Sequence, residues 1–349
     1  MNIGLREAKL NFELKKNIGA EGKNSDVFIA HDKQFDADIV IKRIPKKDFK
    51  SPNDYYKEAK CLYASKHQNI VSVNYSCEDD EHIYIAMPHY GNGSLESLTN
   101  TRFLTVREVL KYSIDFLSGL NHIHTKGLIH FDIKPTNILI SDSNEALVTD
   151  FGLAKFTNIH SVAEQDRFYS LHTAPECLLT NKFTIQVDIY HAGLTLYRIC
   201  NGSGVFKNQL IGVKNKAELD SLISNGKFPD RQFFLPHIPQ KLRNVIRKAL
   251  SLNPVDRHNN LIEFLNELSK IQENLDWQLT GIPNGNKWVL DQDNKTYDIS
   301  LKQDNGSFNI EAFKTMKDSG NTTRIKDNFR SNLSIDKATI ELKKILKSY

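Results

Sequence analysis

The sequence predicts an α+β chain with strands gathered towards its two ends and helices in its middle. Three observations predict it. Short apolar runs rich in β-branched residues fill the N-terminal part, among them Val27-Phe28-Ile29-Ala30, Ile39-Val40-Ile41-Lys42 and Ile83-Tyr84-Ile85-Ala86-Met87. Longer segments with apolar residues at three- and four-residue steps follow, the clearest over Val106 to Thr125. Beyond Trp277 the character changes to short strands with Asn-Gly turns and one last amphipathic helix.

In chain order, Phe12 to Val27 reads as a strand and a glycine-bearing turn around Gly19 and Gly22, running into the second strand at Val27. Asp54 to Ser65 reads as a helix with Glu58 in its middle. The acidic run Glu78 to Glu81 is a solvated turn between strands, and Pro88 to Leu95 leads out of the last N-terminal strand. Over Val106 to Thr125 the stripe is Leu110, Ile114, Leu117, Leu120 and Ile123, and Gly127 ends the helix. Leu242 to Leu250 and Leu261 to Ile271 are further amphipathic helices. In the tail, strands around Trp288, Tyr297 to Leu301 and Phe308 to Ile310 are separated by Asn284-Gly285-Asn286 and Asp304-Asn305-Gly306. The closing helix takes Ser334 as its N-cap and carries Ile335, Ala338, Leu342 and Ile345 on one stripe.

The bulk numbers exclude several classes. At 349 residues the chain can build one large unit and a small extra module, and 40% apolar with 25% charged residues is ordinary for a globular protein. A net charge of +4 is too mild to name a partner. Cys61, Cys77, Cys177 and Cys200 form no C-x-x-C pair, which argues against a zinc site or a disulfide framework. No apolar run approaches the roughly 18 residues of a membrane span. The N-terminus lacks a signal-peptide core and has Asn2 where myristoylation needs Gly. A cytoplasmic protein is expected.

The chemistry lies in Ile129-His130-Phe131-Asp132-Ile133-Lys134-Pro135-Thr136-Asn137-Ile138-Leu139-Ile140, followed by Asp150-Phe151-Gly152. Polar residues stand here between apolar runs that read as short buried strands. That pattern holds Asp132, Lys134 and Asn137 on one loop, with Asp150 at the end of the next hairpin. Two carboxylates, an amide and an ammonium can then share one Mg-nucleotide.

His130-x-Asp132-x-Lys134-Pro135-x-Asn137, Asp150-Phe151-Gly152 and Ala174-Pro175-Glu176, in this order and spacing, resemble the eukaryotic-type (Hanks-type) serine/threonine protein kinase family. The resemblance covers Phe12 to Leu275. It implies a bilobal fold, with a small β-rich lobe over 11–88 and a mainly helical lobe over 89–275. An extension over 1–10 and a small β-meander plus helix module over 276–349 would flank it.

It also implies roles. Asp132 would accept the hydrogen bond of the attacking hydroxyl and Lys134 would neutralise the γ-phosphate of ATP. Asn137 and Asp150 would hold Mg²⁺ through oxygen atoms. Lys42 would hold the α- and β-phosphates, paired with Glu58; the bland alternative is a surface lysine on an edge strand. Counting back from Val27, the three places of the family's phosphate-covering glycine loop hold Ala20, Gly22 and Ser25, with Gly19 one residue early. Ser25 would stiffen that loop. Around adenine the resemblance implies Met87, the Pro88 carbonyl, the Tyr90 backbone, and Val27, Val40 and Leu139 as roof and floor, although the last three are equally good core residues. Glu176 would pair with Arg257, and Asp188 would cap the catalytic loop.

Two positions depart from the family pattern. Phe131 stands where an arginine usually ties down the activation segment through a phosphorylated residue, so activation without that phosphorylation is expected. Tyr169 stands where the family prefers a threonine that contacts the catalytic Asp and Lys, which puts the docking of the substrate hydroxyl in question.

The expected function is therefore transfer of the γ-phosphoryl of Mg-ATP to a protein serine or threonine. A pseudokinase-type nucleotide-binding scaffold or partner-binding regulator is the alternative, motivated by the degenerate glycine loop. A small-molecule kinase ranks below both, because such enzymes lack the Ala174-Pro175-Glu176 element. From Trp277 onward twelve Lys and Arg face nine Asp and Glu. That excess is weak and mixed in sign, so a protein-binding or lobe-packing module is expected over a nucleic-acid surface.

Overall fold

A computed structural model describes residues 10–19, 25–49, 51–166 and 168–349. The expected extension over 1–10, save Leu10, and the loop positions Ala20 and Gly22 lie outside the described residues.

The N-terminal part is one antiparallel sheet. Its strands are β1 (Phe12–Asn17), β2 (Asp26–Asp32), β3 (Ala37–Pro45), β4 (Tyr75–Glu78) and β5 (His82–Pro88), in the spatial order β1-β2-β3-β5-β4. Side chains alternate between faces with period two. Ile39 and Ile41 join Ala30 and Ala86 in a small core on one face. Val40 and Lys42 therefore point to the other face. Directly opposite pairs share a face, so Val27 and Ile85 beside Lys42, and Met87 beside Val40, lie there too.

Helix α1 spans Lys57–Ala64 and starts three residues later than the sequence pattern suggests. The reason is local: Ser51 Oγ accepts from Asn53 N, and Pro52 begins a separate 3₁₀ turn that absorbs Asp54. Glu58, expected in the middle of the helix, therefore falls in the first turn of α1.

The helical part opens with α2 (Leu95–Thr101) and α3 (Val106–Thr125). The Thr105 hydroxyl accepts from Glu108 N while the Glu108 carboxylate accepts from Thr105 N, a reciprocal capping box. Gly127, with φ +69°, closes the C-terminal end. Ile114 departs from the expected stripe and is 38% exposed. The rest of the expected stripe, Leu110, Leu117, Leu120 and Ile123, is buried.

Next come β6 (Leu128–Ile129), the hairpin β7 (Ile138–Ile140) and β8 (Ala146–Val148), then β9 (Lys155–Phe156), β10 (Ala163–Glu164) and β11 (Lys182–Phe183). Helix α4 (Gln186–Asn201) is buried along its whole length. Helices α5 (Ser203–Asn208), α6 (Lys216–Ser224), α7 (Gln240–Ala249) and α8 (Leu261–Leu268) complete this part.

The tail is an antiparallel meander closed by a helix. Its strands are β12 (Gln278–Ile282), β13 (Gly285–Gln292), β14 (Lys295–Asp304), β15 (Ser307–Met316), β16 (Thr322–Arg324) and β17 (Arg330–Leu333), and α9 is Ile335–Lys347. The Asn305-Gly306 turn forms as expected, both residues at positive φ. The first turn sits one residue earlier than expected: Asn284 takes the positive φ, and Gly285 already pairs in β13. There a Cβ on Gly285 would lie 2.0 Å from the Leu301 carbonyl oxygen, so only glycine fits.

Ser334 caps α9 by accepting from Lys337 N. Ala338, Leu342 and Ile345 are buried as expected, but Ile335, in the first exposed turn, is 49% exposed and Leu346 takes its place. The meander shares its core with the helical part. Trp288 Nε1 donates to His237 Nδ1 at 3.1 Å, and Arg107 Nη2 donates to Asp276 Oδ2 at 2.8 Å. Among the described residues no helix is long and apolar enough to cross a membrane.

Candidate active site

Strand β3 delivers Lys42 to the inner sheet face, where it is buried. Its Nζ donates to Glu58 Oε1 at 2.7 Å and to Asp150 Oδ1 at 2.8 Å. Burial alone would disfavour the ammonium. The Asp150 and Glu58 carboxylates outweigh it and raise the Lys42 pKa, so the amine stays charged. Burial likewise opposes ionisation of Asp150, but the Lys42 charge wins and holds its carboxyl below the ordinary range. Glu58 is pushed up by burial, with Lys42 opposing.

Asp150 follows hairpin β7–β8 and adopts a left-handed backbone, φ +64°. Asparagine and aspartate tolerate that conformation better than most residues, since a short polar side chain can bond locally. Gly152 follows without obstruction of the site: a Cβ there would meet Asp150 Oδ1 at 3.2 Å and Lys42 Nζ at 3.5 Å.

The loop between β6 and β7 holds the second cluster. Lys134 Nζ donates to Asp132 Oδ2 at 2.9 Å, and Asn137 Nδ2 donates to the same oxygen at 2.8 Å and to the Asp132 carbonyl at 2.9 Å. The other carboxylate oxygen, Oδ1, is buried with no hydrogen-bond partner among the described residues. A buried lone pair without a donor is costly. Burial raises the Asp132 pKa, with the Lys134 charge opposing.

The loop backbone is fixed from below. Asp188, on α4, accepts from His130 N and Phe131 N at 2.8 Å each and contacts His124 Nε2 at 2.8 Å. Arg257 makes a two-pronged pair with Glu176, both distances 2.7 Å. The expected partnerships of Asp188 and Glu176 are thus present in the geometry.

Around this cluster the other expected residues are distributed as follows. Val27 and Val40 share the Lys42 face of the sheet, Met87 is buried on β5, and Leu139 on β7 bridges to Ser94. Pro88 ends β5, and Tyr90 is in the turn after it, packed against the main core. Gly19 lies against the start of β2, where a Cβ would meet Val27 N at 2.8 Å. That close approach is the reason for a glycine at this position, although its φ is ordinary. Ser25 is half-buried just ahead of β2.

A family model described as protein kinase domain matches residues 12–268. The chain belongs to the protein kinase family. The kinase domain is also similar to curated bacterial proteins. It is 26% identical over 268 residues to the probable serine/threonine-protein kinase PknB of Lactococcus lactis, covering 74% of this chain and 41% of that protein. It is 28% identical over 258 residues to the serine/threonine-protein kinase PrkC of Bacillus subtilis, covering 71% and 38%. The serine/threonine-protein kinase PknD of Chlamydia muridarum is 28% identical over 308 residues, covering 76% and 32%. The chain thus spans less than half the length of these relatives.

Two arrangements in the kinase domain escaped the sequence reading. Phe131, buried and at φ +66°, sits edge-on to Phe168 at 6.2 Å and to Phe183 at 5.8 Å, and those two meet at 5.2 Å. The signal was present in Phe131 itself, because a phenylalanine replacing a cation needs apolar partners. The second is a buried chain from Glu96 through Arg198 to His172, whose members are far apart in sequence.

The oxygen-only donor set of the Asp150 carboxylate and the Asn137 amide suits Mg²⁺. Among the described residues no cluster of three His, Cys, Asp or Glu could hold a metal alone.

Proposed function

We propose that the chain is a protein serine/threonine kinase that transfers the γ-phosphoryl group of Mg-ATP to a protein hydroxyl. The observation that carries this reading is Asp132 Oδ1: buried, with no donor among the described residues, on a carboxylate whose other oxygen already binds Lys134 and Asn137. A serine or threonine hydroxyl would supply the missing hydrogen bond and be oriented for attack. Mg²⁺ bound by Asn137 and Asp150 would neutralise phosphate charge in the transition state.

In this reading Lys42, held by Glu58 and Asp150, grips the α- and β-phosphates. Lys134 meets the charge developing on the γ-phosphoryl. The 19–25 loop, with Gly19, Gly22 and Ser25, covers the phosphates. Val27, Val40 and Leu139 sandwich adenine in front of Met87, and the Pro88 carbonyl and Tyr90 backbone hydrogen-bond its edge.

We further infer that the activation segment does not need phosphorylation to adopt its working position. The support is the three-phenylalanine contact, which ties Phe168 of the segment to Phe131 of the catalytic loop through apolar packing instead of a phosphate–arginine pair. The segments 11–88 and 89–275 would act as the two lobes, with 276–349 as a docked module available to a protein partner.

Radiolabelled ATP with wild type and Asp132→Asn, followed by site mapping, tests the reading. Label on protein serine or threonine from wild type alone supports it. Nucleotide binding without transfer supports the scaffold instead. Loss of activity on phosphatase treatment, restored by phosphorylation between Lys155 and Thr173, sinks the phosphorylation-independent part.

A further inference from the structure

The turn that precedes Ala174-Pro175-Glu176 touches the catalytic loop at two consecutive residues. Tyr169 lays its ring over the Lys134 ammonium, with Nζ 4.3 Å from the ring centroid. The same Nζ is the one that holds Asp132 Oδ2 at 2.9 Å, and both side chains are nearly buried, 12% and 9% exposed. Three residues on, His172 Nδ1 is 3.2 Å from the Ile133 carbonyl, between Asp132 and Lys134. Tyr169 and His172 are locked to each other by the 3₁₀ turn, in which His172 N donates to the Tyr169 carbonyl at 2.9 Å.

The histidine has a buried support. Arg198 Nη1 is 2.7 Å from His172 Nε2, Arg198 Nη2 donates to Glu96 Oε2 at 2.6 Å, and Ser203 Oγ donates to the same oxygen at 2.7 Å. A guanidinium can only donate, so Nε2 must accept, and the ring proton belongs on Nδ1 facing the Ile133 carbonyl. Burial and the Arg198 charge hold the imidazole neutral, its pKa well below the ordinary value. The support thus keeps one tautomer and one orientation.

We propose that Tyr169 is a positioning residue for phosphoryl transfer: its ring face fixes the Lys134 ammonium against Asp132, and His172 anchors the turn that presents the ring. This rests on the kinase reading above. A cation over an aromatic face is held by the ring quadrupole, and the effect grows where water is excluded. At this position a threonine hydroxyl would hold the pair by hydrogen bonding. The tyrosine holds it through a π face and screens it from water, and its hydroxyl is not what the contact requires.

The test compares Tyr169→Phe, which keeps the ring, with Tyr169→Leu, which keeps apolar volume and loses the quadrupole. Two readouts are taken on the full chain: phosphoryl transfer to a mixed histone and casein substrate, and the ¹³Cε shift of Lys134, assigned with Lys134→Arg. The expected result is that Tyr169→Phe stays within about twofold of wild type, while Tyr169→Leu lowers kcat about three- to thirtyfold with KM for ATP and Tm unchanged. The Lys134 signal is displaced by the ring current in wild type and Tyr169→Phe, and relaxes in Tyr169→Leu. In a Lys134→Ala background Tyr169→Leu has no further effect, because the ring acts only through the ammonium.

The proposal is overturned if Tyr169→Phe is as slow as Tyr169→Leu, if Tyr169→Leu transfers as fast as wild type, or if its effect persists without Lys134. If wild type transfers no phosphate at all, the kinase reading fails. The Lys134 shift still decides the contact, and an undisplaced signal rejects it.

Discussion

Lys42 and Asp150 are 108 residues apart in the chain and 2.8 Å apart in space. One ammonium thus joins a strand of the N-terminal sheet, helix α1 through Glu58, and the residue that opens Asp150-Phe151-Gly152. A nucleotide held at this junction would bridge both parts of the kinase domain.

Removing the ammonium leaves two close carboxylates without their shared cation. Lys42→Met is expected to lower phosphoryl transfer at least a hundredfold, as loss of a positioned charge partner does. Tm should fall as well, because Glu58 and Asp150 are left as uncompensated carboxylates. Steady-state kinetics and a thermal scan check this, and transfer at more than a tenth of the wild-type rate counts against the role.

Asp132 must be ionised to accept a hydroxyl hydrogen bond. Its pKa lies above the ordinary aspartate value of 3.8, through burial, with Lys134 pulling the other way. Activity should therefore fall on the acid side at a higher pH than an exposed aspartate would give. Lys134→Ala removes the opposing charge and should move that limb to higher pH still. A pH–kcat/KM profile that shifts to lower pH, or not at all, contradicts the assignment.

The phenylalanine cluster makes a stability prediction separate from chemistry. Phe131→Ala should cost about 3 kcal/mol or more, as large-to-small changes of buried aromatics do. Phe183→Ala should behave alike, and the two together should cost less than their sum because each loses the same contact. Denaturant titration of the single and double variants measures it. Additive losses would show that the rings act independently.

Asp188 accepts two loop amides, and its folded pKa lies below the ordinary 3.8, because hydrogen bonding to His124 and to the loop outweighs burial. A folded-state pKa below the unfolded value stabilises at pH above the unfolded value. That contribution is lost as pH falls through the folded one. The kinase domain should therefore lose stability below about pH 4, and Asp188→Asn should flatten this acid limb while lowering stability at neutral pH. A Tm–pH curve of unchanged slope in Asp188→Asn rejects it.

Much was legible in the sequence because it rests on local spacing. The period of α3, the Asn305-Gly306 turn, the Ser334 cap, and the motif residues Asp132, Lys134, Asn137 and Asp150 are each set by a few neighbouring residues. Where local reading slipped, a nearby competitor had won: the Ser51-Pro52 turn delays α1, and the Leu301 carbonyl moves Gly285 into a strand.

What only the tertiary structure decided are contacts between distant segments. Nothing near Phe131 indicates that Phe168 and Phe183 will meet it. The family pattern puts position 169 beside the catalytic Asp and Lys, but nothing near Tyr169 shows that its ring face will take Lys134, or that Glu96, Arg198 and His172 form one buried chain. Spacing along a chain constrains side chains within a turn or a hairpin. Which faces meet across the molecule depends on how whole elements pack, and that is set by the joint burial of many residues at once.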